Sequence, residues 1–170
     1  MHGFQIHIHV RAPIDRCFDL SRSIDFHCRT MLHTGERAVA GVTTGLIGPG
    51  EQVTWEARHF LILQRLESRI TDFRRPHAFT DEQVRGAFAW FRHQHRFVDL
   101  GDGRTRMTDA FEYAAPLGPL GWLAERLFLS AYMRRLLTRR QRALRDALES
   151  DAWRCYLEPG SGSPQAPGEG

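Results

Sequence analysis

The sequence predicts an α+β fold in which a curved antiparallel sheet of about seven strands wraps a long C-terminal helix, with two short helices after the first strand. Three observations carry this expectation. Residues 3–11 alternate apolar and polar side chains; residues 51–115 break into strand-length segments at turn-forming residues; and the only long amphipathic run, residues 119–148, comes last. A chain of 170 residues suits one domain with a core of its own.

Phe4, Ile6, Ile8 and Val10 fall on one side of the first strand and Gln5, His7, His9 and Arg11 on the other, so it is half-buried. Ala12-Pro13 ends it, and Pro13 suits the first turn of a helix that spaces Ile14, Cys17, Phe18 and Leu20 along one face. Ser23 is a good cap for a second short helix carrying Ile24, Phe26 and His27. Residues 36–44 form a strand leading into Gly45-Leu46-Ile47-Gly48-Pro49-Gly50, a loop expected to expose Leu46 and Ile47 between flexible hinges. Val53, Trp55 and Ala57 alternate with Thr54, Glu56 and Arg58; after a turn at 60–63, Leu66, Ser68, Ile70 and Asp72 mark the antiparallel partner.

Arg75-Pro76 interrupts the chain before a strand at 79–84. Arg85-Gly86-Ala87 turns it into a long strand over 88–100, and Gly101-Asp102-Gly103 turns it again into 104–115. Pro119 opens the long helix, striped by Leu120, Leu123, Ala124, Leu127, Ala131, Leu137, Leu144 and Leu148. The domain is expected over 1–157. Residues 158–170, rich in Pro, Gly and Ser without a core-forming side chain, are expected to be a disordered tail.

Composition removes several function classes. No apolar run is long enough to span a bilayer, and the N-terminus lacks a secretion signal, so a cytoplasmic address is expected. The basic residues are 23 arginines with no lysine, which excludes a Walker-type phosphate loop and any Schiff-base mechanism. A net charge of +3 does not announce a nucleic-acid binder, and none is expected. Cys17, Cys28 and Cys155 lack CxxC spacing, which argues for buried, inert thiols. No G-x-S-x-G elbow is present, so hydrolase chemistry has no support.

The strand-helix-helix-meander-helix order, with particular segments along it, resembles the SRPBCC (START/Bet v 1-like) superfamily and is most similar to its bacterial polyketide cyclase/dehydrase-like members. The segments are Ala12-Pro13-Ile14, residues 41–50, Phe79 to Gly86, Trp90 to Phe97, Met107-Thr108-Asp109 and Pro116 to Gly121. The resemblance covers about 150 residues. It implies a helix-grip fold with a cavity between sheet and long helix, used across that superfamily for lipids, sterols and polyketides by carriers, receptors and enzymes alike.

The meander can be threaded from its turns. A turn centred on Asp102 pairs Phe97 with Met107, His95 with Asp109, His93 with Phe111 and Phe91 with Tyr113. One centred on Gly86 pairs Phe79 with His93, Asp81 with Phe91 and Gln83 with Ala89. On this threading Trp55, Ile70, Phe79, Phe91, Phe97, Met107, Phe111, Leu123 and Leu127 are expected to supply apolar cavity walls. His93, His95, Asp109, Asp81 and Gln83 form the polar handle. The His95–Asp109 pair either satisfies itself across strands, anchors a ligand, or moves protons; His95 and Asp109 are the candidate catalytic residues.

His7-x-His9 and His93-x-His95 have metal-ligand spacing, but the first pair faces solvent and the second faces inward. No metal or other cofactor is expected. Arg134, Arg135, Arg139, Arg140, Arg142 and Arg145 form a solvated helix face or fit an acidic partner or anionic membrane surface. The loops 45–50 and 116–121 are either gates to the cavity or plain corners. The function expected first is intracellular binding or carriage of a small hydrophobic ligand, such as a lipid or polyketide. A cofactor-independent cyclase/dehydratase-type enzyme, and an interaction module docking the arginine-rich helix, are the alternatives.

Overall fold

A computed structural model describes residues 2–59, 62–114 and 129–158. The elements run β1 (His2–Val10), α1 (Ile14–Ser21), α2 (Ile24–Thr30), a 3-10 turn (Leu32–Thr34), β2 (Arg37–Gly41), β3 (Gln52–His59), β4 (Ile62–Arg74), β5 (Ala78–Arg85), β6 (Trp90–Gly101), β7 (Arg104–Ala114), α3 (Ser130–Leu148) and α4 (Arg154–Leu157). The N-terminal part of the expected long helix, with Leu120, Leu123, Ala124 and Leu127, lies outside the described residues. So do the loop 116–121 and residues 159–170 of the expected tail.

The seven strands form one antiparallel sheet in the order β1-β7-β6-β5-β4-β3-β2. From β2 onward each strand pairs with the next, but β1 and β2 occupy opposite edges. The chain between them must therefore cross the whole sheet, and α1 and α2 make that crossing. α1 packs on β6 and β7, α2 on β2, and α3 against β1, α1 and α2. Ser23 caps α2 as expected, its Oγ accepting the Phe26 N–H at 3.2 Å.

α1 plugs one end of the helix-covered face with Phe18, which is fully buried. Its ring meets those of Phe73, Phe79 and Phe97 at 5.2, 5.4 and 5.5 Å, all edge-on. Met107, Leu144 and Leu148 complete that cluster. A second cluster, Phe4, Phe91, Phe111, Tyr113 and Leu137, lies toward the other end.

The β6–β7 register is the one the Asp102 turn gives, with His95 opposite Asp109 and Phe97 opposite Met107. Gly101, Asp102 and Gly103 all have positive φ there, the conformation such a tight turn demands. The β5–β6 register differs from expectation: Phe79 stands opposite His95, and Asp81 opposite His93. The turn spans residues 86–89, longer than expected, because the Gln83 amide clamps it. Gln83 Nε2 donates to the Phe88 carbonyl at 2.8 Å and its Oε1 accepts the Phe88 N–H at 3.3 Å. Gly86 lets the turn lie on β4, since a Cβ there would collide with Leu66. A shift of two residues keeps every side chain on its face but changes each neighbour.

The loop 45–50 also differs. Ile47 is buried rather than exposed, and Leu46 is half-buried. The loop is tied down at several points: Gly45 N to Asp25 Oδ2 at 2.7 Å, Ile47 N to the Arg22 carbonyl at 3.2 Å, Gly50 N to the Ile70 carbonyl at 2.9 Å. It is a fixed wall. Of the three free thiols only Cys17 is buried, and burial pushes it up to about 11; Cys28 is half-buried and Cys155 exposed, because the latter sits on the short surface helix α4. Among the described residues no helix is long and apolar enough to cross a membrane.

Phe18→Ala is expected to destabilise the protein by about 3–5 kcal/mol, since three aromatic contacts are lost into a site that cannot collapse. Denaturant unfolding monitored by circular dichroism measures it, and a loss below about 1 kcal/mol would contradict the plug.

Candidate functional site

Beyond the Phe18 plug, the sheet, α2 and α3 line a partly open cavity of about 280 Å³. Its apolar wall comes from Trp55 on β3, Ile70 on β4, Phe79 on β5, Phe91 on β6 and Phe111 on β7, faced by Leu136 and Leu137 of α3. Each strand contributes alternate residues, so the period-two pattern that marks these strands also assigns their inward side chains. Asp81, His93 and His95 line the same cavity.

Four of the expected site residues are placed elsewhere by the fold. Phe97 and Met107 are packed beneath α1 in the Phe18 cluster, because the plug fills that end of the sheet. Gln83 is spent on the Phe88 backbone and does not line the cavity. Asp109 stands behind His95 rather than on the wall. Leu123 and Leu127 fall outside the described residues.

The polar group is compact. His95 Nδ1 lies 2.8 Å from Asp109 Oδ1, and its Nε2 lies 3.4 Å from Asp81 Oδ2. His93 sits beside it with ring centroids 4.0 Å apart; its Nδ1 is 3.9 Å from Asp81 Oδ2 and its Nε2 3.8 Å from Asp109 Oδ1. Phe79 stacks on the His95 ring at 4.2 Å. His95, Asp109 and His93 are 3%, 5% and 7% exposed, so their charges must be settled among themselves rather than by water.

Burial opposes charge on every member, and the neighbours decide who keeps it. Burial raises Asp109, but the His95 charge, the nearby His93 imidazole and the hydrogen bond to His95 overcome this and hold it well below the usual carboxylate range. Asp81 is lowered against the same burial by its hydrogen bond to His95 and by the nearby cations. Burial lowers His95, but Asp109 and then Asp81 more than reverse it, so its pKa is raised. His93 is lowered, first by burial and then by the His95 charge. The two imidazoles are thus driven apart, one toward imidazolium and one toward neutral imidazole.

Arg140 changes place most. Expected on an exposed arginine face, it is 4% exposed and lines the cavity, its Nη2 donating to the Ser21 carbonyl at 2.8 Å. Its Nε and Nη1 are buried with no hydrogen-bond partner. The helix phase explains it: Leu136, Leu137, Gln141 and Leu144 are buried around it, so position 140 falls on the packed face of α3. Arg134, Arg135, Arg139 and Arg142 are exposed and Arg145 half-buried, with Arg134 stacked 4.8 Å over Phe4. His27 was also missed as a cavity residue; it lines the wall stacked on Trp55 at 4.2 Å, with Glu36 at 2.5 Å from its Nε2. Its place on α2 beside buried Ile24 and Phe26 was the only available signal.

No family model matches the chain, and no curated protein matches it by sequence. Solved structures do resemble it. TTHA0849 from Thermus thermophilus superposes with a TM-score of 0.70 at 15% identity, covering 86% of this chain and 97% of that one. The ZhuI aromatase/cyclase from Streptomyces sp. R1128 gives 0.69 at 16% identity, over 94% and 98%. A START superfamily protein from Mycobacterium smegmatis gives 0.64 at 11% identity, over 88% and 98%. The chain has the START/Bet v 1-like helix-grip fold that these structures share.

The charge arrangement sets a pH dependence. His95 has a folded pKa above its ordinary 6.5, so its contribution to stability is complete below that value and is lost as pH rises through the folded pKa. Asp109 has a folded pKa below its ordinary 3.8, so its contribution is complete above that value and is lost as pH falls through the folded one. Both contributions are complete between 3.8 and 6.5, while His93, whose folded pKa is lowered, subtracts from stability as pH falls below 6.5. NMR titration should place the His95 imidazole above 6.5 with Asp81, His93, Asp109 and Arg140 all present, and Asp109→Asn should bring it down; an unmoved His95 would refute the coupling.

Proposed function

We propose that the protein binds a small apolar molecule in the cavity between the sheet and α3 and holds its polar end on His93, His95, Asp81 and Arg140. The observation that carries the reading is the make-up of the cavity: aromatic and aliphatic side chains form most of the wall, and Asp81, His93 and His95 cluster on adjacent strands within it, apart from the His27–Glu36 pair beside Trp55. Apolar lining with a few convergent polar groups is how small-molecule sites are generally built. A volume of about 280 Å³ lies at the small end of such sites and favours a compact, ring-sized body over an extended lipid. Arg140 adds chemistry to the polar end, since unpartnered buried guanidinium donors recover hydrogen bonds from a ligand oxygen.

A second reading, a cofactor-independent cyclase/dehydratase-type enzyme, is supported by the two imidazoles of opposite charge tendency. Neutral His93 would accept a proton and charged His95, held by Asp109, would donate one to a ligand carbonyl. The aromatase/cyclase among the similar structures gives the kind of substrate to try first.

Native mass spectrometry and solvent extraction of protein purified from its own host are expected to release one compact apolar compound per chain. Arg140→Met, checked for folding, is expected to weaken its retention about 10-fold or more, the worth of one or two charge-assisted hydrogen bonds. An empty cavity that takes up no apolar fluorophore, together with salt-sensitive binding of the exposed arginines to anionic vesicles, would replace this reading with the interaction module. Turnover of a polyketide lost in His95→Gln would establish the enzyme.

A further inference from the structure

We propose that Asp81, His93 and His95 bind a divalent transition-metal ion of the zinc class at the polar end of the cavity, with Asp109 as the carboxylate that orients the imidazoles. The sequence groups the two alternate histidines of β6 with Asp81 and Asp109 but threads Asp81 opposite Phe91. The register of β5 against β6 instead sets Asp81 opposite His93.

One ligand atom from each of Asp81, His93 and His95 lies within 4.8 Å of the other two, and Asp81 Oδ2 is 3.4 Å from His95 Nε2 and 3.9 Å from His93 Nδ1. Ligands about 2.0–2.2 Å from a tetrahedral ion stand about 3.3–3.5 Å apart, so side-chain rotations on the order of 1 Å close the site. All three sit on neighbouring strands, which hold them more rigidly than loops would.

The outer shell is already in place. The far nitrogen of each imidazole faces the same Asp109 Oδ1: His95 Nδ1 at 2.8 Å and His93 Nε2 at 3.8 Å. A carboxylate behind a metal-ligating histidine fixes the tautomer and leaves the other nitrogen's lone pair for the ion. Without a metal ion, His95 keeps a proton on that nitrogen toward the Asp81 carboxylate, while His93 Nε2 and Asp109 Oδ2 have no hydrogen-bond partner.

A metal ion displaces the proton that His95 otherwise carries. With both imidazoles then neutral, Asp81 and Asp109 outweigh the single guanidinium of Arg140, and these groups leave one net negative charge for the ion to neutralise. Asp81, His93 and His95 line the cavity, so the remaining coordination positions face the ligand space, as in metal sites that act on a bound molecule. The inference does not depend on what fills the apolar part of the cavity, and apolar-probe binding is measured separately.

The test is titration of chelator-stripped protein with Zn²⁺ by calorimetry and with Co²⁺ by visible absorption. The expected result is one ion per chain, with Co²⁺ d–d bands that Zn²⁺ abolishes. Asp81→Asn, at a half-buried position, is expected to weaken binding at least 100-fold. Asp109→Asn is expected to weaken it about 10- to 100-fold, the usual worth of an outer-shell carboxylate. His7→Gln/His9→Gln, which removes the exposed pair on β1, is expected to change nothing. Failure of the wild-type protein to take up a stoichiometric ion would overturn the proposal. So would uptake that survives Asp81→Asn and disappears in His7→Gln/His9→Gln. Should a β6 histidine variant fail to fold, the wild-type stoichiometry and Asp81→Asn decide the matter.

Discussion

Two carboxylates and two imidazoles lie side by side on β5, β6 and β7 beneath an apolar roof, and His93, His95 and Asp109 have too little water to carry a charge alone. That constraint governs the rest of the site. An isolated buried ion costs several kcal/mol, so the group persists only because each charge has an opposite one within about 4 Å. Balance requires the strands to be in one register. A slip of a single residue on β6 would turn both imidazoles outward and leave Asp109 buried without a partner.

The cavity follows from how the helices divide the sheet's covered face. α1 is forced across that face because β1 and β2 sit at opposite edges, and its Phe18 fills one end with close aromatic packing. The other end is spanned by α3, whose inward residues Leu136, Leu137 and Arg140 meet the sheet across open space. Packed support and open site are thus neighbours on the same strands. Phe79 belongs to both, stacked on His95 on one side and edge-on to Phe18 on the other. Such a border residue transmits rigidity from the core to the polar group, which is what precise positioning of a ligand or an ion needs.

The binding, catalytic and metal readings share one chemistry. Each uses a polar end whose charge is settled by neighbours and whose open side faces an apolar space. A carrier needs only the hydrogen bonds, an enzyme needs the two imidazoles to differ in charge, and an ion needs them both neutral with Asp109 behind. Arg140 bears on all three: its charge strengthens the hold on an oxygen acceptor, lowers His95 and Asp81, and sets an upper limit on how negative the site becomes.

Much of the architecture is legible in the residue pattern, because period-two alternation and turn-forming residues are local signals. They suffice for the strands, for the short helices opened by Pro13 and Ser23, and for the pairing of His95 with Asp109 across a tight turn. What the sequence by itself determined is therefore which side chains face inward, since alternation is a property of each strand alone. Which of them meet, only the tertiary structure decided. The Gln83 clamp moved Asp81 from Phe91 to His93, the Phe18 plug took Phe97 and Met107 out of the cavity, and the rotation of α3 carried Arg140 inside. Each of these depends on contacts between segments distant in sequence or on loop geometry, and neither leaves a periodic trace in the chain.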